Sequence, residues 1–279
     1  MIQPLRISIV TVVFNGETYL EECMDSVLRQ GYPNLDYIVI DGGSADRSVD
    51  IIRKFSKHLS YWVSEKDFGM YDALNKGFKK SSGEIMAWIN SDDLLMNKSL
   101  FLINDLFQRH PQAEWIQGLP LKISSDGSVF DHFEPRGSKY DYYLKRYGTN
   151  NIPFVQQEST FWKRTLWERA GGTLNTNYKI AGDFDLWMRF FELGQLYHTR
   201  GLVGGFRIHN GQLSSDKSAY FKECEQAVNE ALKQAVPDVQ RQITLYKRLL
   251  KLEGIPLVSR LSRRLFRNFY RTTELKYLV

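Results

Sequence analysis

Asp92 and Asp93, in Asn90-Ser91-Asp92-Asp93, close the apolar run Ile85–Ile89. Carboxylates side by side repel, and a divalent cation relieves the repulsion. Mg²⁺ or Mn²⁺ takes one or two protein carboxylates and completes its shell with phosphate oxygens. Solvated acids at a helix start, where the dipole favours them, explain the pair equally well. A second cluster, Asp41-Gly42-Gly43-Ser44-Ala45-Asp46, follows Tyr37–Ile40. Its glycines let a ligand approach, and Asp41 can accept from a base N–H or a ribose hydroxyl. Taken alone, it is better read as an ordinary turn in which Ser44 or Asp46 caps the next helix. Other chemistries lack their motifs: the chain has no G-x-x-x-x-G-K-[ST], no G-x-G-x-x-G after its first strand, no H-E-x-x-H and no G-x-S-x-G.

The elements that would carry these clusters alternate two periodicities. Ile7–Phe14, Tyr37–Ile40, Leu59–Val63 and Ile85–Ile89 read as buried strands. Helical stripes lie between them: Leu20, Cys23/Met24 and Val27/Leu28, with Asn15 as N-cap; then Val49, Ile52 and Phe55; then Tyr71, Leu74 and Phe78. A further helix is expected from Lys98 to Gln108. This pace predicts an α/β fold, a Rossmann-like mostly parallel sheet with helices on both faces, and ligands bind such sheets beyond the carboxyl ends of the strands. Asn15, Asp41–Ser44 and Asn90–Asp93 all fall there. Further on, Trp115–Ile123 and Val129–Phe133 read as a hairpin on an Asp-Gly turn. Residues 134–158 read as loop, Arg164–Ala170 as a helix stopped by Gly171-Gly172, and Phe184, Trp187/Met188 and Phe191 as a helix stripe with Asp183 as its N-cap. After His209 the chain reads as helical, with breaks at Pro237 and Pro256.

Thr11–Asn15, the Asp41–Asp46 loop, Asp72-Ala73-Leu74-Asn75-Lys76-Gly77, Ser82-Gly83-Glu84 and Asn90–Asp93 occur in the order and spacing of family 2 glycosyltransferases, which have the GT-A fold. The chain resembles that family strongly over about residues 5–110 and more loosely to about 215. It looks most like the bacterial branch that builds surface polysaccharide, including capsule, colanic acid and O-antigen. The resemblance implies that Thr11, Phe14, Asn15, Asp41, Asp72, Asn75, Asn90, Ser91 and Asp92 line a nucleotide-sugar site, with Asp41 reading uracil. It places Asp92, Asp93 and His209 around Mn²⁺ or Mg²⁺. Asp183 becomes the general base of an inverting transferase, with Asp185 as fallback. Gln156, Gln157 and Gly172 fall on the acceptor side; Glu158 follows them. Three positions depart from the family pattern: Asn90 and Gly42 each replace an Asp, and Gly182 replaces a Glu. His209, in Arg207-Ile208-His209, matches the family's closing segment. His58, His110, His132 and His198 have no such context.

At about 150 residues per domain, 279 residues suit one large domain or one and a half. We expect a transferase domain over 1–215, with a nucleotide-sugar half (1–110) and an acceptor half (111–215), and a helical extension over 216–279. Hydrophobic residues at 43% and charged residues at 25% exclude a disordered or fibrous chain. The net charge of +5 is uneven: from Arg241 onward ten Lys/Arg face only Glu253 and Glu274, so the first 240 residues are net acidic. This excludes nucleic acid as a general partner. The basic tail, 241–279, alternates with Leu249/Leu250, Leu261 and Leu265/Phe266 as an interfacial membrane helix does, or as a helix packed on the domain or on a second copy does. Two distant cysteines and no small-residue cleavage site after Ile7–Phe14 predict a cytoplasmic protein, peripheral on the inner membrane face. The donor would be a UDP-sugar, and the acceptor a saccharide or a polyprenyl-diphosphate-linked sugar. Two other readings were weighed, a sugar-phosphate nucleotidyltransferase and a degenerate carbohydrate-binding module.

Overall fold

The computed structural model describes residues 3–134, 138–149, 152–253, 264 and 276–279. The opening β-branched run forms β1 (Ile7–Val13), every residue of it buried. Then come α1 (Leu20–Leu28), β2 (Leu35–Asp41), α2 (Ser48–Phe55), β3 (Tyr61–Ser64), α3 (Met70–Lys80) and β4 (Ile85–Asn90), the alternation legible in the sequence. The next elements are β5 (Leu94–Leu95), α4 (Ser99–Arg109), the hairpin β6 (Trp115–Ile123) and β7 (Val129–His132), α5 (Lys139–Tyr143), β8 (Thr160–Lys163) and α6 (Arg164–Arg169). The chain continues through α7 (Gly182–Leu193), β9 (Leu196–Arg207), α8 (Lys217–Gln234), α9 (Pro237–Glu253) and β10 (Lys276–Tyr277).

One sheet runs in the order β10-β9-β6-β8-β4-β1-β2-β3, with β5 on β9 and β7 on β6. β1 to β4 are parallel, which sends the residues after β1, β2 and β4 to one edge. β8 is antiparallel to both β4 and β6 and joins the parallel half to the β6–β9 pair. Trp88 of β4, Trp115 of β6 and Trp187 of α7 stack, with centroids 6.0 and 5.7 Å apart, and Trp162 of β8 packs edge-on against them. Burying these large rings fixes α7 on the sheet and so fixes where its N-terminus points.

Three expectations need correction. Asn15 is no helix cap: it has φ 51°, and α1 starts five residues later behind Tyr19. Asp183 is not an N-cap either, since α7 begins at Gly182 and Ala181 holds that position. The twelve-residue strand β9 was missed because Gly201, Gly204 and Gly205 interrupt its apolar pattern. Those glycines answer to packing. A Cβ on Gly204 would stand 2.1 Å from the Glu158 carbonyl oxygen, and one on Gly205 would stand 2.8 Å from the Ile123 side chain. Within 134–158, α5 buries Tyr140, Tyr142 and Tyr143.

The expected boundary at 215/216 falls just ahead of α8, whose Cys224, Ala227 and Val228 join the same core as the sheet. α9 starts at Pro237, which suits a first helical position, and rests on α5 through Tyr246, whose hydroxyl donates to Asp141 at 2.9 Å. The first part of the basic tail therefore packs on the domain. Pro256 and most of the tail beyond 253 lie outside the described residues.

Because the obstacle at Gly204 is backbone, Gly204→Ala should lower unfolding free energy by roughly 1–3 kcal/mol. Urea denaturation reads this directly, and a wild-type midpoint would contradict the packing described.

Candidate active site

The loops after β1 and β2 are laced together. Asn15 N–H donates to Ser44 Oγ (2.8 Å), Gly16 N–H to Ser48 Oγ (2.9 Å) and Glu17 N–H to Asp46 Oδ2 (2.9 Å). In return, Asn15 Oδ1 accepts from Ala45 N–H and Glu17 Oε2 from Arg47 N–H, both at 2.9 Å. The left-handed backbone at Asn15 makes this exchange possible, a conformation Asn tolerates well. Asp41 shapes the second loop. It is fully buried; Oδ2 accepts from Gly43 N–H, Ser44 N–H and Ser64 Oγ, and Oδ1 accepts from Ser44 Oγ. Here Asp41 builds the turn from within, three of the bonds falling on Oδ2 and one on Oδ1. Thr11 is likewise buried, bonded to Tyr37 at 3.0 Å, and supports the strand end from below instead of lining a pocket. Phe14 is 67% exposed beside these loops, and Phe68, after β3, is 96% exposed. At Gly42 a Cβ would stand 2.4 Å from Asp67 Oδ2, so a neighbouring carboxylate occupies the place of the Asp that the resemblance expects there.

The turn from β4 into β5 carries the paired acids, and they face opposite ways. Asp93 is buried; its Oδ1 accepts from Arg207 N–H (2.8 Å) and its Oδ2 from Asn90 Nδ2 (3.3 Å). Burial and the adjacent Asp92 charge push its pKa well above the usual carboxylate range. Asp92 points outward, 3.0 Å from His209 Nε2. Asp93, expected as a metal ligand, is thus turned inward, while Asp92 and His209 come together. Ser91 lies next to Gly16, bringing this turn against the loop after β1.

Arg207 locks this corner. Its fully buried guanidinium donates from Nε to Asp92 O (2.6 Å), from Nη1 to Ser124 O (3.2 Å) and Ser125 O (2.8 Å), and from Nη2 to Glu22 (2.8 Å). Three chain segments hang on one planar fork, which suits Arg and not Lys. Tyr19 lies against the guanidinium at 4.6 Å and against the His209 ring at 4.9 Å, orienting the imidazole. Reading the sequence found the Arg-x-His segment but missed this role, because the partners of Arg207 lie 82 or more residues away.

A divalent cation fits Asp92. Two residues earlier, Asn90 has its Oδ1 buried without a hydrogen-bond partner, a hard oxygen donor in need of one. Among the described residues no three His, Cys, Asp or Glu converge as a closed metal cage. An ion here would therefore complete its shell with ligand oxygens, as Mg²⁺ does in phosphate sites.

Across the sheet, Asp183 occupies the first turn of α7, half-buried, with the Tyr220 hydroxyl 3.2 Å away. Burial raises its pKa to about 6. A Cβ at Gly182 would enter the Tyr71 ring (2.7 Å), so the Glu expected there by resemblance cannot fit beside this tyrosine. The fallback, Asp185, is paired with Arg189 (2.9 Å) and lines a separate cavity of about 530 Å³ with Thr173, Glu192 and Glu230. Asn75 gives both ends of its amide to Leu174 (2.9 and 2.8 Å), and Asp72 accepts from Phe68 N–H (3.1 Å); these two hold loops. Gln156 donates to Leu121 O (2.7 Å) and Gln157 to Trp88 O (2.5 Å), each leaving its carbonyl oxygen buried without a partner. Gly172, with φ 63°, closes α6 by donating to Trp167 O. Glu158 is buried, and Asp93, Asp183 and Asp92 all add to the rise in its pKa that burial begins.

This sheet, a parallel half with helices between its strands and an acid-bearing turn after β4, extended by β8, β6 and β9, is the GT-A glycosyltransferase architecture. Comparison bears it out. The family model described as "Glycosyl transferase family 2" matches residues 8–171, more than half of the chain, and the chain belongs to that family. It is a glycosyltransferase, which replaces the nucleotidyltransferase and binding-module readings. An uncharacterized glycosyltransferase of Rickettsia typhi is 25% identical over 223 residues, 78% of this chain and 69% of that protein. A putative teichuronic acid biosynthesis glycosyltransferase of Bacillus subtilis, TuaG, is 25% identical over 76% of this chain and 82% of its own length. Of a relative in Rickettsia bellii the chain spans only 32%. Among solved structures, Staphylococcus aureus TarS 1–349 in complex with UDP-GlcNAc superposes with TM-score 0.67 at 16% identity, covering 86% of this chain and 70% of that one. The mannosyltransferase PcManGT of Pyrobaculum calidifontis, in complex with GDP-Man and Mn²⁺, gives 0.63 at 18% identity, covering 98% and 77%. At those identities the likeness is one of fold.

Replacing Arg207 by Lys keeps the charge and loses the fork, so Arg207→Lys should cost about 2–4 kcal/mol of stability in urea titration. An unchanged midpoint would remove Arg207 as the lock of this corner.

Proposed function

We propose that this glycosyltransferase moves one sugar from a nucleotide donor, UDP-linked by preference, to a saccharide or polyprenyl-diphosphate-linked acceptor in surface-polysaccharide synthesis, with inversion at the anomeric carbon. The observation that carries this reading is the meeting of Asp92 with His209, 3.0 Å apart, in a turn packed against the loop after β1. It supports a ligand site between that turn and the loops that would hold the nucleotide.

In this reading the loops after β1 and β2 hold the nucleoside, with exposed Phe14 offering a face to the base. Asp92, Asn90 Oδ1 and His209 Nε2 would hold Mn²⁺ or Mg²⁺. When bound, that ion supplies positive charge to the departing diphosphate. Asp183 takes the proton of the acceptor hydroxyl. The hydroxyl oxygen bonds to the anomeric carbon as the carbon–oxygen bond to the diphosphate breaks, and that electron pair leaves with the nucleotide. A positioned base of this kind contributes roughly 10²- to 10⁴-fold. A carboxylate titrating near 6 is ionised at neutral pH yet basic enough to accept a proton. Among the described residues no helix is long and apolar enough to cross a membrane. Membrane contact in this reading falls to the arginines beyond 253, and liposome flotation of a 1–253 truncation against the full chain tests it; equal flotation refutes it.

Asp183→Asn should reduce transfer by at least about 100-fold while retaining nucleotide-sugar binding by calorimetry. Wild-type activity should rise with pH through about 6 as Asp183 ionises. The folded carboxyl binds its proton more tightly than an unfolded one, so the stability this gives is full below the unfolded pKa and is lost as pH rises through about 6. Asp183→Asn should therefore raise the thermal midpoint at pH 8 and leave it unchanged at pH 4. A thermal-shift screen of UDP-, GDP- and dTDP-sugars with and without Mn²⁺ identifies the donor. Asp92→Ala should abolish any dependence of that shift on Mn²⁺, and persistence of the dependence moves the ion elsewhere.

A further inference from the structure

The first turn of a helix leaves backbone N–H groups free, and a carboxylate placed there tends to be spent on capping them. Asp183, second residue of α7, is in that position, and a capping carboxylate has engaged lone pairs and reduced basicity. Here Asp183 accepts from Phe184 N–H, and a second carboxylate serves the segment ahead of the helix. Glu223 of α8 reaches across to Lys179 N–H (3.0 and 3.1 Å), Ile180 N–H (3.0 Å) and Ala181 N–H (2.9 Å), taking the donors that lead into α7. Three residues earlier on the same face of α8, Tyr220 directs its hydroxyl to Asp183, 3.2 Å from Oδ2 and 3.4 Å from Oδ1.

Resting on the reading of Asp183 as the base, we propose that Tyr220 and Glu223 are positioning residues of the transfer reaction. Glu223 fixes the segment that enters α7, and with it the backbone that carries Asp183, and Tyr220 holds the carboxylate in one orientation. The remaining lone pairs of Asp183 are thereby left for an acceptor hydroxyl. α8 thus belongs to the acceptor half of the enzyme as well as to its core, although its sequence carries none of the family motifs.

Every element packed around Asp183 contributes a group that faces it. Tyr71 comes from α3, Glu158 from the turn before β8, and Tyr220, Glu223 and Cys224 from α8. Burial raises the Asp183 pKa, while Phe184 N–H and the Tyr220 hydroxyl pull it down and the Glu223 charge pushes it up. The two α8 groups therefore act on it in opposite directions, a signature that loss of packing alone does not produce.

The test uses the full chain with Mn²⁺ and three probes, UDP-GlcNAc, UDP-glucose and GDP-mannose. It follows release of nucleoside diphosphate, with water as acceptor, from pH 5 to 9. The Asp183 carboxyl is titrated in parallel by ¹³C NMR, its signal assigned by loss in Asp183→Asn. Tyr220→Phe should lower kcat about tenfold or more with KM for the donor within about twofold, and should move the acidic limb and the ¹³C titration upward. Glu223→Gln should also lower kcat but move both downward, and Glu223→Asp should recover part of the activity. Wild-type limbs and titrations in both variants, or the same fall in both without opposite movement, overturns the proposal, and the ¹³C arm reports whichever donor is turned over. If Asp183→Asn itself keeps wild-type hydrolysis, the base reading fails first; if that variant is inactive while the α8 variants behave as wild type, only the present inference fails.

Discussion

The corner of the sheet that carries Asp92 depends on one buried guanidinium. Arg207, at the end of β9, ties together the turn after β4, the tip of the β6–β7 hairpin and the side of α1, while its own N–H fixes Asp93. A buried charge this well bonded is costly to disturb, because loss of any partner leaves charge unpaired in a low dielectric. The two adjacent acids are consequently held in different roles. Asp93 is turned inward and kept toward its neutral form, and Asp92 is presented outward beside His209. A pair that looks symmetric in the sequence becomes one structural carboxyl and one available to a ligand.

The surroundings of Asp183 are built on a different principle. The tryptophan stack fixes α7 on the sheet, Tyr71 occupies the space in front of Gly182, and α8 completes the environment of Asp183. Tyr71 of α3 abuts the start of α7, and Asn75, one turn later, grips Leu174. The Asp72–Gly77 motif, which the resemblance ties to the nucleotide sugar, here bonds through Asp72 to the loop after β3 and through Asn75 to Leu174.

The sequence made the parallel half of the fold legible because each strand is a short apolar run followed by a helix of period 3.6, both of them local signals. β9 was not legible, since its glycines serve partners such as Glu158 that are distant in sequence. The site follows the same division. Asp92, His209 and Asp183 were found as residue types in ordered motifs, and Asp92 and His209 do meet. Asp41, Thr11 and Asp93 were found by the same motifs yet are buried and committed to internal bonds, a fact about side-chain direction that no spacing reveals. Tyr220, Glu223 and Glu22 carry no motif at all, and only the packing of α8 and α1 brings them to the site.

The most direct measurement is anomalous diffraction at the manganese edge from crystals of the full chain grown with Mn²⁺ and its nucleotide sugar. The account predicts a single peak at about 2.1–2.3 Å from an Asp92 carboxylate oxygen, with the anomeric carbon of the sugar open to Asp183 and no protein wall between them. A peak remote from Asp92, or a sugar whose anomeric carbon is screened from Asp183, would contradict it.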